Sequence, residues 1–442
     1  MKILLHSHFP AGHTYPMQAV AQALVARGHT VLWLSSPDNE SRVLATGARF
    51  TPTHALAALD APLIKSHRTG LFEGSHSSRD RRLLAQVADY RDALAAFDAD
   101  ALLVDVFPYG ARALCELGEI PTYATLGVIP LYTSGLNAPL AASGDVPPLS
   151  WTAWLVSAAR QLISRWMETP LFLRPAMNQQ RRVLGLGDLP FGEALEDFTY
   201  SPHLHIQASS LQLDFNQPPS TTSHRKHTIF VGPLVTRPMD LPRLPSWWNG
   251  LSARHRTIVG ITQGTLATDP TSLIIPSIKA LQDDPALALI VISPHVTEIQ
   301  SNTRRTENIY HAAWLPYDLL LAQLSLLITN GGYGSITQAL SHGVPLLCAG
   351  QSEDKRDTAA RVTFSGVGID LKTDSPEVES VRQAAYAIVQ DEGYKARAEK
   401  MSGELNSLGG ADAAVDALEG LLHGFAMARA DVFGDKLVNP GR

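Results

Sequence analysis

Short apolar runs alternate with amphipathic segments through the first part of this chain. Residues 2–6 and 30–34 are predicted to be buried strands. Between them, apolar residues recur at helical spacing, with Pro16 suited to a first helical turn and Gly28 to the end of the helix. The helical positions are Met17, Val20, Ala21, Leu24 and Val25. The three segments predict a βαβ unit with parallel strands.

The alternation continues with a predicted helix over residues 83–97 and a strand over 101–104. The polar stretch 65–82, rich in His, Arg and Ser, is predicted to be a surface loop. Residues 135–175 break the pattern because prolines and tryptophans interrupt an apolar helical periodicity. Such an insertion is a candidate cover over an apolar pocket, and packing in the core or between domains is the equal alternative.

A second series of alternating strands and helices follows a proline-rich stretch. The predicted boundaries are 1–237 for an N-terminal domain, 238–247 for a proline-rich linker, 248–422 for a C-terminal domain, and 423–442 for a tail that packs back on the N-terminal domain. We therefore predict an α/β protein of two Rossmann-like domains that face each other across a cleft.

One glycine-rich turn lies between the strand ending at Ile328 and a predicted helix. Its sequence from Asn330 to Ser335 lets the backbone approach a ligand, and the helix N-terminus suits an anion, most simply a phosphate. The spacing is neither G-x-G-x-x-G nor a P-loop. Ser335 and Gln338 also fit a capping box, which explains two residues without a ligand but leaves the glycines unexplained.

Two residues at the predicted ligand edge of the first sheet are suited to acid–base chemistry. His13 follows the first strand and can act as a general base, whereas the alternative is a partly exposed polar histidine. Asp105 ends the strand over 101–104 and can orient an imidazole, and its alternative is a loop cap. The sequence thus predicts a base and its partner on adjacent loops.

Composition narrows the class of protein. The chain has 442 residues, more than one core usually holds, and its net charge of −6 argues against a nucleic-acid-binding surface. Cys115 and Cys348 are the two cysteines and offer neither a disulfide framework nor metal-ligand spacing. Neither a signal peptide nor an apolar run of membrane-spanning length is recognisable, so a cytoplasmic protein is expected.

Several motifs occur in a fixed order along the chain. They are G-H-x-x-P at 12–16, V-G-P-L at 231–234, Q-G-T at 263–265, W-x-P at 314–316, G-G-x-G-S at 331–335, and G-V-P at 343–345 followed by Asp354. From His13 to about Arg361, this order resembles family 1 of the UDP-dependent glycosyltransferases, which have the GT-B fold. The resemblance is to the microbial subgroup that modifies small molecules.

The resemblance implies a role for each matching residue. His13 would be the catalytic base and Asp105 its partner, with the N-terminal domain binding the acceptor and the C-terminal domain the nucleotide sugar. The implied donor-binding residues are Gly264, Thr265, Trp314, Leu315, Asn330, Gly332, Tyr333, Gly334, Ser335, Gln338, Asp354 and Lys355. The candidate acceptor pocket is formed by Phe107, Leu131, Trp151 and Trp154.

Four positions depart from the family pattern. Asn330 replaces a usual His, Gln338 a Glu that binds ribose, Lys355 a sugar-binding Gln, and Tyr317 a Gln after W-x-P. An amide still bonds phosphate or ribose, with weaker charge assistance. Lys355 would bind an acidic sugar, hydrogen-bond neutral hydroxyls or pair with Glu353. These changes affect the choice of donor more than the fold.

The expected reaction is inverting transfer of a hexose, with glucose the expected sugar, from a UDP-sugar to a hydroxyl of a small lipophilic or phenolic acceptor. No cofactor or metal, no nucleic-acid partner and no integral membrane segment are expected, and the chain would be a monomer or weak homodimer. The alternatives are a UDP-sugar epimerase or hydrolase and a non-catalytic sugar-nucleotide-binding protein. A nicotinamide-dependent oxidoreductase is disfavoured because the dinucleotide fingerprint is missing after the first strand.

Overall fold

A computed structural model describes residues 1–65, 76–215, 227–236, 244–251, 257–264, 269–304 and 306–438. Within these ranges the N-terminal half contains a parallel sheet of seven strands in the order β3-β2-β1-β4-β5-β6-β7. Its strands are β1 Lys2–His6, β2 Thr30–Ser35, β3 Arg49–Pro52, β4 Ala101–Val104, β5 Tyr123–Gly127, β6 His205–Gln207 and β7 Thr228–Phe230.

Helices connect these strands. They are α1 Ala11–Ala26, α2 Glu40–Leu44, α3 Ala55–Lys65, α4 His76–Ala95, α5 Tyr109–Glu116, α6 Trp151–Ile163, α7 Arg174–Val183 and α8 Leu195–Thr199, with a 3₁₀ turn at Pro37–Asn39 and a π-helix at Ser164–Leu173. Buried strands of a parallel sheet need cover on both faces. Ile3 and Leu5 of β1 pack on one side with Met17 of α1, whereas Leu4 packs on the other side with Tyr90 of α4.

The C-terminal half contains a second parallel sheet, of six strands in the order β10-β9-β8-β11-β12-β13. Its strands are β8 Thr257–Thr262, β9 Leu287–Ile292, β10 Ile309–Ala312, β11 Leu326–Thr329, β12 Leu346–Cys348 and β13 Gly368–Asp370. Its helices are α9 Ile274–Leu281, α10 Val296–Asn302, α11 Tyr317–Leu321, α12 Tyr333–Ser341, α13 Lys355–Phe364, α14 Val378–Gln390 and α15 Glu392–Ser407. Two α/β units with separate sheets confirm the predicted fold class.

The predicted surface loop over 65–82 is wrong for its last residues. Helix α4 begins at His76, and Arg82 on it is buried and donates to Asp60 of α3 at 2.5 Å. The polar composition of this stretch predicted exposure, and therefore a loop. Arg82 is buried nevertheless, because it is paired with a carboxylate that is distant in sequence. Residues 66–75 of that stretch lie outside the described residues.

The last helix, α16 Gly410–Val438, returns to the N-terminal half. Gly410 donates its backbone N–H to Val231 at 2.7 Å, and Arg27 of α1 pairs with Asp416 at 2.5 Å. The apolar positions of α16 that join the N-terminal core are Ala414, Val415 and Leu418. The return therefore begins at Gly410, earlier than the boundary predicted at residue 422, because the apolar face of this helix fits α1.

Of the predicted linker 238–247, residues up to 243 lie outside the described part of the chain. Leu244 and Trp247 pack on the C-terminal core, so the end of that segment already belongs to the C-terminal half. No helix in the described ranges combines the length and the apolar character needed to cross a membrane.

A buried polar network joins the two halves. Arg361 of α13 pairs with Asp214 at 2.6 Å and also donates to the carbonyl oxygen of Leu131 at 2.8 Å. The hydroxyl of Tyr333 receives a hydrogen bond from Gln207 of β6 at 2.7 Å and donates to Asp214 at 3.2 Å. These bonds connect the two domains through charges that are shielded from water.

Candidate active site

The first half of the site forms where β1 and β4 end side by side. His6 is paired with Val104 in the parallel register, so the residues that follow the two strands emerge together. Helix α1 starts at Ala11, earlier than the first turn predicted at Pro16, and carries His13 in its first turn. The Nδ1 atom of His13 lies 2.7 Å from Oδ2 of Asp105. The structure thus brings this predicted pair together.

Asp105 is completely buried and accepts several hydrogen bonds. The backbone N–H of Val106 donates to Oδ1 at 2.7 Å, and that of His8 donates to Oδ2 at 2.9 Å. Burial by itself would raise the pKa of Asp105, but the charges of His8 and His13 and their hydrogen bonds outweigh it and hold that pKa well below its usual range. Asp105 is therefore an ionised acceptor beside His13.

The sequence interpretation missed His8. Its Nδ1 lies 2.5 Å from Oδ1 of Asp105, so a second imidazole shares the carboxylate with His13. The spacing of His8 from the end of β1 and its place at the ligand edge were visible in the sequence. The direction of its side chain was not, because that depends on the turn between His6 and Ala11.

His8, His13 and Asp105 are the group of described residues whose nitrogen and oxygen atoms are close enough to hold a metal ion, within 4.8 Å of one another. Both imidazoles direct Nδ1 to the carboxylate at hydrogen-bond distances of 2.5 and 2.7 Å. The contacts present are thus those of a hydrogen-bonded triad.

The predicted acceptor-pocket residues do not form one group. Phe107 is buried with its ring 6.5 Å from that of His8, and its φ of +56° is unusual for a bulky residue. Leu131 lines a small inter-domain cavity that it shares with Asp214 and Arg361. Trp151 and Trp154 on α6 are 74% and 37% exposed in this structure, so their place in an acceptor pocket stays a prediction. Helix α6 turns that apolar ring outward.

The second half of the site is the glycine turn between β11 and α12. Gly331 has a φ of +86°, and a Cβ at Gly264 would lie 2.8 Å from Nδ2 of Asn330. That Nδ2 atom is buried and has no hydrogen-bond partner among the described residues. A buried amide donor without a partner costs about 1–3 kcal/mol, so an acceptor such as a phosphate oxygen would satisfy it. Thr265 lies outside the described residues.

The capping-box alternative for Ser335 and Gln338 is wrong. Helix α12 begins at Tyr333 with Gly332 as its N-cap, and no side chain caps it. Ser335 therefore lies within the first turn, where the N–H groups of Tyr333, Gly334 and Ser335 have no intrahelical acceptor. The backbone around Gly332 to Ser335 is therefore a helix end of the kind that can bind an anion.

The side chain of Tyr333 has a different place from the one implied by the motif. It is buried in the inter-domain network with Gln207 and Asp214, so only its backbone faces the helix end. Leu315 is likewise buried in the C-terminal core, whereas the neighbouring Trp314 is 66% exposed. An exposed indole that follows the carboxyl end of β10 offers a flat surface for a base.

The corner before α13 contains two acidic residues and one lysine. Lys355 is buried, and its Nζ donates to Glu353 at 2.7 Å and to Ser352 at 2.9 Å. Lys355 is thereby paired with Glu353, the third of the roles considered for it. Asp354 is only partly buried by surface area, yet desolvation by the surrounding protein raises its pKa to about 6. The charge of Lys355 opposes that rise most strongly, and the charge of His13 in the other half of the site opposes it less.

Known proteins resemble the whole chain. Residues 288–420 match the family described as erythromycin biosynthesis protein CIII-like, C-terminal domain. The chain is 30% identical over 427 residues to 4'-demethylrebeccamycin synthase of Lentzea aerocolonigenes, covering 93% of this chain and 97% of that protein. It is 26% identical over 425 residues to UDP-glucosyltransferase 1 of Beauveria bassiana, covering 91% of each.

Solved structures agree in fold. The glycosyltransferase of kitacinnamycin has a TM-score of 0.68 at 20% identity, over 95% of this chain and 98% of that one. The spinosyn rhamnosyltransferase SpnG complexed with thymidine diphosphate has a TM-score of 0.67 at 20% identity, over 95% and 100%.

Two Rossmann-like domains, each with its own parallel sheet, place the chain in the class of proteins with the GT-B fold. Within that class, the chain belongs to family 1 of the UDP-dependent glycosyltransferases, in the microbial subgroup that acts on small molecules. The resemblance predicted from the ordered motifs is confirmed, and the protein is an enzyme.

Proposed function

We propose that this enzyme transfers a hexose from a UDP-sugar to a hydroxyl of a small lipophilic or aromatic acceptor, with inversion at the anomeric carbon. The observation that supports this most strongly is the His13–Asp105 pair at 2.7 Å, which lies where β1 and β4 end side by side. In this proposal the base belongs to the N-terminal domain, and the corner before α13 that would hold the sugar belongs to the C-terminal domain.

The residues divide the reaction between them. His13 donates its Nδ1–H to Asp105, which leaves Nε2 free to accept the proton of the acceptor hydroxyl. The deprotonated acceptor oxygen attacks the anomeric carbon of the sugar. The bond between that carbon and the UDP oxygen breaks, and the proton stays on Nε2 of His13. Asp105 then stabilises the imidazolium, as a carboxylate does in a catalytic triad.

The departing UDP gains negative charge on its diphosphate. The free N–H groups at the start of α12 and the unpartnered Nδ2 of Asn330 would donate hydrogen bonds to the diphosphate oxygens and so stabilise that charge. In this proposal these donors are sufficient without a metal ion or cofactor. Gln338, partly exposed on α12, would bind the ribose.

A donor–acceptor matrix tests the reaction class. Purified enzyme is incubated with UDP- and TDP-linked sugars and a panel of hydroxylated aromatics, and products are identified by mass. TDP-sugars are included because a structural neighbour is a rhamnosyltransferase complexed with thymidine diphosphate. We expect acceptor masses increased by one hexose, preferentially from a UDP donor. UDP release that is equally fast without acceptor would instead identify a hydrolase or epimerase.

Trp314→Ala should weaken UDP binding about 10-fold or more, because stacking of an aromatic side chain on a base contributes about 1–3 kcal/mol. Calorimetric titration of UDP measures this. Trp166→Ala is the matched control, since Trp166 is also about half exposed but lies in the N-terminal half, and its UDP affinity should equal that of the wild type. Equal affinity of both variants would remove Trp314 from the donor site.

Donor affinity should depend on Asp354 ionisation. Its pKa of about 6 means that it becomes a charged acceptor for sugar hydroxyls only as the pH rises through that value. Because binding favours the charged form, UDP-sugar affinity should increase between about pH 5 and about pH 7. Asp354→Asn should bind more weakly and lose this pH dependence. If the pH dependence of UDP-sugar affinity is unchanged in Asp354→Asn, another ionisable group causes it.

A further inference from the structure

Asp105 is shared by two imidazoles, of which only His13 has a role in the proposed reaction. His8 is 2% exposed and reaches Asp105 twice, through its backbone N–H at 2.9 Å and through Nδ1 at 2.5 Å. The two histidines bind different carboxylate oxygens, His13 Oδ2 and the His8 ring Oδ1. Both carboxylate oxygens are therefore held by side chains that follow β1, one in the loop and one in the first turn of α1.

Packing alone does not explain an imidazole at position 8. Its Nε2 atom is buried and has no hydrogen-bond partner among the described residues, a desolvation penalty that an apolar ring would not carry. The ring is 5.7 Å from that of His13 and 6.5 Å from that of Phe107, both edge-on. An aromatic hydrocarbon ring would fill this space without the penalty, so the Nδ1 contact is the feature that requires histidine.

We propose that His8 is a positioning residue that fixes the orientation of the Asp105 carboxylate. By sharing that carboxylate, His8 also weakens the hydrogen bond between Asp105 and the proton on Nδ1 of His13. This inference rests on the proposed function of His13 as the base. A carboxylate that accepts a hydrogen bond from His8 has less negative charge available for His13, so the protonated form of His13 is stabilised less.

The other titratable groups around the triad do not duplicate this contact. His6 of β1 is buried and accepts from the Tyr90 hydroxyl at 2.7 Å, and burial together with His8 lowers its pKa to about 3. Arg82 of α4 is paired with Asp60. Asp89 of α4 accepts from the backbone N–H of Ala55 and Leu56, and Asp354 faces His13 from the other domain. Among the described side chains, only that of His8 bonds Oδ1 of Asp105, and the other donor to this oxygen is the backbone N–H of Val106.

The test compares His8→Phe, which keeps a ring but removes the donor, with His8→Asn, whose amide nitrogen can occupy the place of Nδ1. The ionisation of His13 is followed directly by NMR in protein labelled at histidine nitrogens, with His13→Gln identifying its signal. We expect His8→Phe to raise the His13 midpoint by about 0.5–1 pH unit and His8→Asn to restore it. Tyr90→Phe, which alters the His6 contact but not Asp105, is the control and should leave the midpoint unchanged.

A second readout separates this inference from the proposed function. The acidic limb of kcat/KM for the acceptor, measured at saturating donor, should move upward with the His13 midpoint in His8→Phe. An unchanged midpoint in His8→Phe, or the same shift in His8→Asn, would overturn the role of His8. A shifted midpoint with an unshifted rate profile would uphold the coupling of the two histidines and refute His13 as the base. If His8→Phe does not fold, a wild-type midpoint in His8→Asn together with a shifted one in His8→Ala decides.

Discussion

His13→Ala should lower the rate of transfer to weakly acidic alcohols by about 10²–10⁴-fold, because the variant lacks the base that accepts the hydroxyl proton. No other described side chain in the first turn of α1 is paired with Asp105. UDP binding should stay within about 2-fold of the wild type, since the diphosphate site lies on the other domain. The rate is followed by product mass and UDP binding by calorimetry.

The acidity of the acceptor provides an internal control for His13→Ala. A phenol that is largely ionised at the assay pH needs no base, so its transfer should be reduced much less than that of an aliphatic alcohol. Asp105→Asn should resemble His13→Ala, because an amide no longer stabilises the imidazolium. Full activity of His13→Ala on an aliphatic alcohol would exclude His13 as the base.

Arg361→Met should destabilise the protein by about 3–5 kcal/mol, because it leaves Asp214 as a buried, unpaired charge between the two domains. The pair is 2.6 Å apart, and both side chains are almost fully shielded from water. Urea unfolding monitored by tryptophan fluorescence measures the free energy of unfolding. Activity should fall in parallel, since Arg361 connects α13 to the loop after β5 through Leu131 and, through Asp214, to Tyr333 of α12.

The matched control for Arg361 is Arg91→Met. Arg91 forms a similarly short pair with Glu119, at 2.5 Å. Their side chains, however, are 47% and 35% exposed, respectively. An exposed pair contributes about 0–1 kcal/mol, so this variant should be close to the wild type. The double variant Asp214→Leu with Arg361→Met should recover stability relative to Arg361→Met. A small effect of Arg361→Met would show that the inter-domain pair does not stabilise the fold.

Much of the fold was predictable because short-range patterns report local structure. Apolar runs at β1 and β4, the helical spacing of α1 and the glycine turn before α12 each depend on neighbours within one element. Errors arose where a residue far away in sequence decided the outcome. The start of α4 at His76 and the burial of Arg82 depend on Asp60 of another helix, which no local pattern contains.

The candidate site divides in the same way. His13, Asp105 and Asn330 were proposed from their places after strands, since parallel strands expose their carboxyl ends at one edge. Tyr333 was predicted on the donor side from its motif, yet its hydroxyl bonds Gln207 and Asp214 across the domain interface. A motif specifies the backbone of the glycine turn, whereas the direction of a side chain depends on which domain packs against it.

By itself, the sequence determined two α/β units, the order of the donor motifs and a histidine and an aspartate at one sheet edge, because periodicity and turn residues are local properties. Only the tertiary structure decided that His8 shares Asp105 with His13 and that Asp354 faces them from the other domain. The reason is physical. These contacts depend on the register of β1 against β4 and on the packing of two separate sheets, both of which are set by residues about 100 or more positions apart.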